Sequence, residues 1–350
     1  MNQRRDNGVP TIKDIAQACG VSSATVSYVI NGKRVLKADT RERVFRAMRE
    51  MNYHPSAVAR GLSGKKVHTL GVLFPVIESV GFVTNPYATG LLHGVFWQAQ
   101  REGFNVTLFT SKWENAEVSA PPLRDGRTDG VLVIAPPLNS DILSGLSSLG
   151  VPVVGISAAK HAGVAVVDVD DEAGLRLATR HLIDLGHRRI AYLTGNDDAA
   201  SYAPRRAGFN AAMKAAHLGI DPQWVQTSHF DGSLAFEQTR LLLRQSQPPT
   251  AIIAGNDSIA LGVIEAARDA GVRVPEELSV VGFDDIPAAT LVTPQLTTVH
   301  QPLVKIGEKA TALLVERMRH CFSATDEEVH LLPPQLVVRG STAQAPRLSH

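Results

Sequence analysis

The side chains best suited to recognition chemistry near the amino terminus are short hydroxyl groups and one aromatic ring. They lie between positions 22 and 28 and are Ser22, Ser23, Thr25, Ser27 and Tyr28. Hydroxyl groups donate and accept hydrogen bonds, so this set could contact base edges and phosphate oxygens of DNA. The alternative is purely local: Ser22 acts only as a helix cap, and Thr25 only occupies a helix surface.

Two short helices joined by a tight turn would hold these side chains together. Thr11-Ile12-Lys13-Asp14 has the pattern of a capping box at a helix start, and Gly20 ends that helix. Ser22 caps a second helix that runs to Asn31-Gly32, and a third begins near Asp39. The first two predict a helix-turn-helix, in which the second helix enters the major groove.

The charge is divided unevenly along the chain. Residues 1–66 contain 13 Lys and Arg against five Asp and Glu, whereas the remainder contains 22 basic and 29 acidic residues. This asymmetry predicts a basic head that binds a polyanion and an acidic body. The alternative is a three-helix bundle whose basic face is only solvated.

Composition excludes several protein classes. With 350 residues, of which 44% are hydrophobic, the chain can form two or three domains with large cores. Its two cysteines, Cys19 and Cys321, form neither a disulfide framework nor a CxxC motif, which favours a reducing compartment. We find no signal-like apolar run at the amino terminus and no membrane-length apolar stretch, so we expect a cytoplasmic protein without membrane association.

From His68 onward, apolar segments alternate with segments of helical pattern, which predicts parallel sheets. The predicted strands are 69–74, 106–109, 130–135, 152–156, 164–167, 189–193, 225–229, 250–254 and 279–283. The first five and the last four resemble each other weakly, so we expect two similar α/β lobes. A ligand cleft is expected between the carboxyl ends of the two sheets.

Catalytic motifs are absent from the sequence. It contains no GxGxxG, GxxxxGK[ST], HExxH or GxSxG string, and its 12 histidines lack metal-ligand spacing. We therefore expect no enzyme activity, no cofactor and no metal site. An exported sugar-binding receptor would explain the body but not the basic head.

Several strings resemble the LacI/GalR family of bacterial transcriptional regulators. Thr11–Ala16, Gly20–Ser22, Thr25–Ser27 and Val29–Gly32 are similar to that family's head, and Asn52–Leu62 to its hinge. The resemblance implies an all-α helix-turn-helix head at 9–66, with a hinge helix at about 55–63. It also implies an α/β bilobed, periplasmic-binding-protein-like body at 67–341 with two parallel sheets.

The resemblance implies which residues contact DNA. The residues that choose the operator match Ser23, Ala24 and Tyr28, and Leu62 matches a wedge inserted into the minor groove. Many family members carry Arg where this chain has Tyr28. The full predicted set is Thr11, Ser22, Ser23, Ala24, Thr25, Ser27, Tyr28, Asn31, Tyr53, Ala59 and Leu62.

The resemblance also implies a small effector in the cleft. The predicted contacts are Tyr87, Ala88, Arg205, Phe230, Asn256, Asp257 and Asp284. Carboxylates and amides bridge vicinal hydroxyls and an aromatic ring stacks on a sugar face, so the set suits a sugar. Ala88 stands where an aromatic residue is common, which predicts room for a larger ligand such as an oligosaccharide.

Structural alternatives remain open for these residues. Asp284 could cap a turn, and Asn256-Asp257 could only cap the helix expected at 258–267. Arg205 could form a surface ion pair, and Phe230 could belong to the core.

The functional hypothesis is a dimeric repressor. Its two heads would bind an approximately palindromic operator, and a small molecule in the cleft would control that binding. The lobes are predicted at about 68–167 plus 301–327 and at about 168–298 plus 329–341. The tail at 342–350 lacks heptads, so we expect a homodimer rather than a tetramer.

Overall fold

The computed structural model of the chain describes residues 10–31, 36–53, 66–75, 85–319 and 328–346. Along the chain, the boundary between a head and a body lies between Val67 and His68. The predicted hinge helix, with Ala59 and Leu62, lies outside the described residues. Within those described ranges, no helix has the length and apolarity needed to cross a membrane.

Within the described residues, three short helices form the head. They are α1 (Ile12–Ala18), α2 (Ser23–Asn31) and α3 (Ala38–Glu50), and they pack Ile15, Val26 and Val44 into a small core. The Asp14 carboxylate accepts hydrogen bonds from the Thr11 N–H and hydroxyl, both at 2.7 Å, which lowers the pKa of Asp14. This acidic group lies in the first turn of α1, where helix dipoles favour negative charge. The predicted helix-turn-helix is confirmed.

Two six-stranded sheets form the body. The first contains β1 (Thr69–Leu73), β2 (Asn105–Phe109), β3 (Gly130–Ile134), β4 (Val153–Ile156), β5 (Ala165–Val169) and β11 (Glu328–Leu332). The second contains β6 (Ile190–Thr194), β7 (Val225–Thr227), β8 (Ala251–Ala254), β9 (Ser279–Asp284), β10 (Thr297–His300) and β12 (Gln335–Val337). Their orders are β11-β5-β4-β3-β1-β2 and β12-β10-β9-β8-β6-β7, and only β12 runs antiparallel to its neighbour.

Helices cover both faces of each sheet, as parallel strands require. The first lobe contains α4 (Pro86–Glu102), α5 (Ala116–Ser119), α6 (Pro121–Arg124), α7 (Ile142–Ser148) and α12 (Leu303–Arg319). The second contains α8 (Asp171–Asp184), α9 (Tyr202–Ala215), α10 (Gly232–Leu243) and α11 (Asp257–Asp269), with 3-10 turns at Pro222–Trp224 and Pro287–Thr290. The chain passes between the lobes three times, after β5, β10 and β11.

All nine predicted strands are present within two residues at each end, but β10, β11 and β12 were not predicted. The predicted lobe boundary was wrong for β11, because this strand pairs with β5 and therefore belongs to the first lobe. Residues 342–345 are not a free tail. Ala343 O accepts from His187 Nε2 at 3.1 Å, and Ala345 N donates to Leu185 O at 2.8 Å.

Helices α4 and α12 pack with their backbones in close approach. A Cβ at Gly94 would collide with the carbonyl oxygen of Val304, and one at Gly307 would collide with that of Leu91. The close packing of α4 against α12 therefore requires glycine at both Gly94 and Gly307.

We expect Gly94→Ala to lower the stability of the body by about 1–3 kcal/mol, because the collision forces the helices apart. Thermal unfolding followed by circular dichroism measures this change. Gly219→Ala is the matched control, since no atom lies within 4 Å of a Cβ at Gly219. Equal midpoints for the two variants would contradict the close-packing argument.

Candidate functional site

The outer face of α2 presents the predicted base-reading side chains. Val26 and Val29 are buried, whereas Ser22, Ala24 and Tyr28 are exposed. Ser23, Thr25 and Ser27 are half-buried. The other predicted DNA contacts differ in position: Thr11 is exposed at the start of α1, Tyr53 is half-buried against the core of the head, and the Asn31 side chain lies outside the described residues.

Ser22 caps the amino terminus of α2, which was the local alternative to a DNA-contacting role. Its Oγ accepts from the Thr25 N–H at 3.1 Å and lies 2.9 Å from the Thr25 hydroxyl oxygen. An exposed hydroxyl in this position keeps further hydrogen-bonding capacity.

Four arginines project from α3 into solvent: Arg41, Arg43, Arg46 and Arg49. Two form loose exposed ion pairs within the helix, Asp39 with Arg43 at 3.6 Å and Glu42 with Arg46 at 3.8 Å. Exposed pairs of this kind contribute little stability, so these arginines remain available to attract phosphate groups.

A cavity of about 460 Å³ lies between the lobes of the body, at the carboxyl ends of strands from both sheets. Ala135 and Ser157 follow β3 and β4, Asn196 and Asn256 follow β6 and β8, and Asp284 ends β9. This is the usual ligand position in open α/β sheets. Five of the seven predicted effector contacts line the cavity: Tyr87, Arg205, Phe230, Asn256 and Asp284.

Ala88 and Asp257 do not reach the cleft, contrary to prediction. Ala88 lies in the first turn of α4 and is buried in the core, so its small side chain makes no room for a larger ligand. Asp257 is also fully buried and accepts from the Thr298 hydroxyl at 2.5 Å and from the Ile286 N–H at 2.8 Å. Consecutive helical residues point about 100° apart, so the neighbour of a cleft-facing residue turns away.

Arg205 forms a buried ion pair rather than a surface one. Its Nε donates to Asp171 at 2.7 Å, its Nη1 donates to Gly255 O at 2.5 Å, and its guanidinium lies 3.7 Å from the centre of the Phe283 ring. Three contacts from three elements hold the group rigidly at the cleft wall.

Further polar groups around the cleft were missed because no motif marks them, among them the half-buried Ser157 and the buried Asp168 and Gln301. Ser157 donates to Asp168 Oδ1 at 2.7 Å and lies 2.6 Å from the Tyr87 hydroxyl, which fixes that ring. Gln301 Nε2 donates to Asp284 Oδ1 at 2.6 Å. Their only sequence signal is position, since Ser157 and Gln301 directly follow β4 and β10 and Asp168 lies near the end of β5.

Buried carboxyl groups lie around the guanidinium of Arg205 at the cleft wall. Asp168, Asp171 and Asp284 are each less than 9% exposed, and of these three Asp284 lines the cavity. Burial raises the pKa of Asp168 and of Asp284 to about 8, and it also raises the pKa of Asp171. Hydrogen-bond donors on a ligand would stabilise the ionised forms of these groups.

Left-handed backbone conformations cluster around the cleft. Ala135, Ser157, His229 and Phe230 have φ between 46° and 56°, and Asp284 has φ of 120°. Such conformations are costly for residues other than glycine, and they concentrate at functional sites. In this protein, the left-handed conformations turn the chain at the ends of the strands beside the cleft.

Two family models match the chain. Residues 11–56 match that of the bacterial regulatory proteins of the lacI family, and residues 179–342 match a periplasmic binding protein-like domain. The HTH-type transcriptional repressor PurR of Haemophilus influenzae is 36% identical over 335 residues, covering 95% of this chain and 98% of the relative.

Solved structures agree with this similarity. A lac repressor dimer bound to operator and the anti-inducer ONPF has 28% identity and a TM-score of 0.81, covering 96% of this chain and all of that one. A complex of the regulator CelR with cellobiose has 30% identity and a TM-score of 0.73, covering 95% and 99%. The chain belongs to the LacI family of bacterial regulatory proteins and is a transcriptional repressor of that family.

Proposed function

We propose that this repressor binds its operator as a homodimer and that a sugar in the cleft of the body controls the binding. The observation that carries the proposal is the cleft itself, in which Arg205 and Asp284 lie close to the aromatic rings of Tyr87 and Phe230. The related CelR structure contains cellobiose, which supports a carbohydrate ligand.

Recognition of a sugar follows from the chemistry of these groups. Asp284 accepts from hydroxyl groups, Asn256 both donates and accepts, and Arg205 donates to ring or hydroxyl oxygens. Asn256 is also a helix cap, because its Oδ1 accepts from the Ile259 N–H at 2.9 Å. An aromatic face covers the apolar face of the sugar ring.

Control of DNA binding would arise from the two-lobe construction. A ligand contacts Tyr87 in the first lobe and Arg205 and Asp284 in the second, so it favours one lobe orientation. The first lobe is continuous with the predicted hinge through β1, and the hinge would transmit that preference to the head. Such coupling is typically worth about 1–3 kcal/mol.

In selection from randomised duplex DNA, the full-length protein is expected to enrich an approximate palindrome. Tyr28→Ala should change the enriched bases, because this exposed ring lies on the reading face of α2. Phe45→Ala removes an equally exposed ring from α3 and should leave the enriched sequence unchanged. The same enriched sequence for Tyr28→Ala and wild type would exclude this ring as a reader.

Asp284→Asn should weaken sugar binding roughly 10- to 100-fold, the usual range for a hydrogen bond to a charged group, while operator affinity is retained. Calorimetry with a panel of mono- and disaccharides and nucleobases measures the ligand affinity, and a DNA mobility shift assay measures the operator affinity. Asp257→Asn is the matched control. It should instead lower the thermal midpoint by about 2–8 °C, since it weakens two buried hydrogen bonds.

Retention of full affinity in Asp284→Asn would remove Asp284 from the site. Binding of nucleobases but not sugars would overturn the ligand class without affecting the repressor assignment.

Sugar binding should release protons and strengthen as pH rises through about 8. Burial raises the pKa of Asp284 to about 8, so this cavity-lining group carries a proton at lower pH. Sugar hydroxyls favour the ionised carboxylate and therefore lower the pKa of Asp284 on binding. Calorimetry in buffers of different ionisation enthalpy counts the protons, and net proton uptake would contradict the mechanism.

A further inference from the structure

Among the described residues, a backbone hydrogen bond joins the two lobes at the mouth of the cleft. The Leu138 N–H, in the loop after β3, donates to the Asp198 carbonyl oxygen, in the loop after β6, at 2.8 Å. Pro137 and Asp198 both line the cavity, so the bond lies directly at its edge. It is distant along the chain from the three connections between the lobes.

Each of the two loops is shaped by its own turn. Ser140 N donates to Pro137 O at 3.1 Å, and Ala199 N donates to Asn196 O at 3.3 Å. Pro136 and Pro137 restrict the first loop and have no N–H, so the Leu138 amide is the first donor after β3 that could reach the other lobe. Both partners are therefore presented in fixed positions.

The contact is made by the backbone and not by side chains. Leu138 is 47% exposed, so burial of its side chain does not hold the lobes together. A single hydrogen bond at the surface is weak enough to break when the lobes separate, because water replaces either partner. It is also directional, so it forms in only one lobe orientation.

We propose that the Leu138–Asp198 hydrogen bond is a latch that holds the lobes together over the cleft and sets how long a ligand stays bound. This inference rests on the proposed function, because it assigns a role to the edge of the same effector cleft. Separation of the two loops widens the exit from the cleft, so loss of the latch increases the dissociation rate.

Leu138→Pro tests the latch because it removes the N–H donor. Leu138 is the second residue of the turn from Pro137 to Ser140, a position that accepts the fixed φ of proline. Leu138→Ala keeps the N–H, removes the side chain and is the matched control. With cellobiose as the probe in stopped-flow fluorescence, we expect dissociation roughly three- to tenfold faster from Leu138→Pro and unchanged from Leu138→Ala.

Amide hydrogen exchange on the full-length wild-type protein tests the latch without any ligand. The Leu138 amide should exchange at least roughly tenfold more slowly than a freely exchanging loop amide. Exchange at the unprotected rate would overturn the latch, as would equal cellobiose dissociation rates for the two variants. Absence of cellobiose binding to wild type would count against the proposed sugar class instead, and amide exchange would then decide the latch alone.

Discussion

The buried ion pair between Arg205 and Asp171 is the interaction on which the cleft depends. Both side chains are almost fully removed from water, which is costly for charged groups unless their hydrogen bonds are satisfied inside the protein. Asp171, the Gly255 carbonyl and the Phe283 ring supply those contacts from α8, the loop after β8 and β9. Because three elements converge on one guanidinium, their ends are held in register at the cleft.

The same ion pair lies next to a connection between the lobes. Asp171 begins α8 directly after the chain leaves β5, and Asp168 lies just before this connection, within β5. Asp168 is linked through Ser157 to Tyr87 in the first lobe, whereas Asp171 is bonded to Arg205 in the second. The hydrogen-bond network of the first lobe thus starts at Asp168, and that of the second lobe starts three residues later at Asp171. A ligand that contacts both networks therefore perturbs the segment in which the chain crosses between the lobes.

The uneven distribution of charge gives the head and the body different chemical properties. The head combines a small apolar core with exposed arginines, which suits contact with a polyanion but adds little to its own stability. The body buries several carboxyl groups around Arg205, where burial favours their protonated forms.

Local sequence patterns were sufficient to predict the helix-turn-helix, nine strands of the repeated α/β pattern and the family. These features depend on local periodicity and on short strings, such as Thr11–Asp14 and Gly20–Ser22, whose information lies within a few neighbouring residues. Five of the seven predicted effector contacts line the cavity, at positions that the family resemblance implied.

Which side chains face the cleft depends on three-dimensional packing. Ala88 and Asp257 are adjacent in sequence to cleft residues but point into the core, because the helix turns between neighbours. Other features join residues from separate segments of the chain. They are the pairing of β11 with the first sheet, the Ser157–Asp168 hydrogen bond and the contact between Leu138 and Asp198. Such contacts follow from strand order and lobe orientation, which no local pattern specifies.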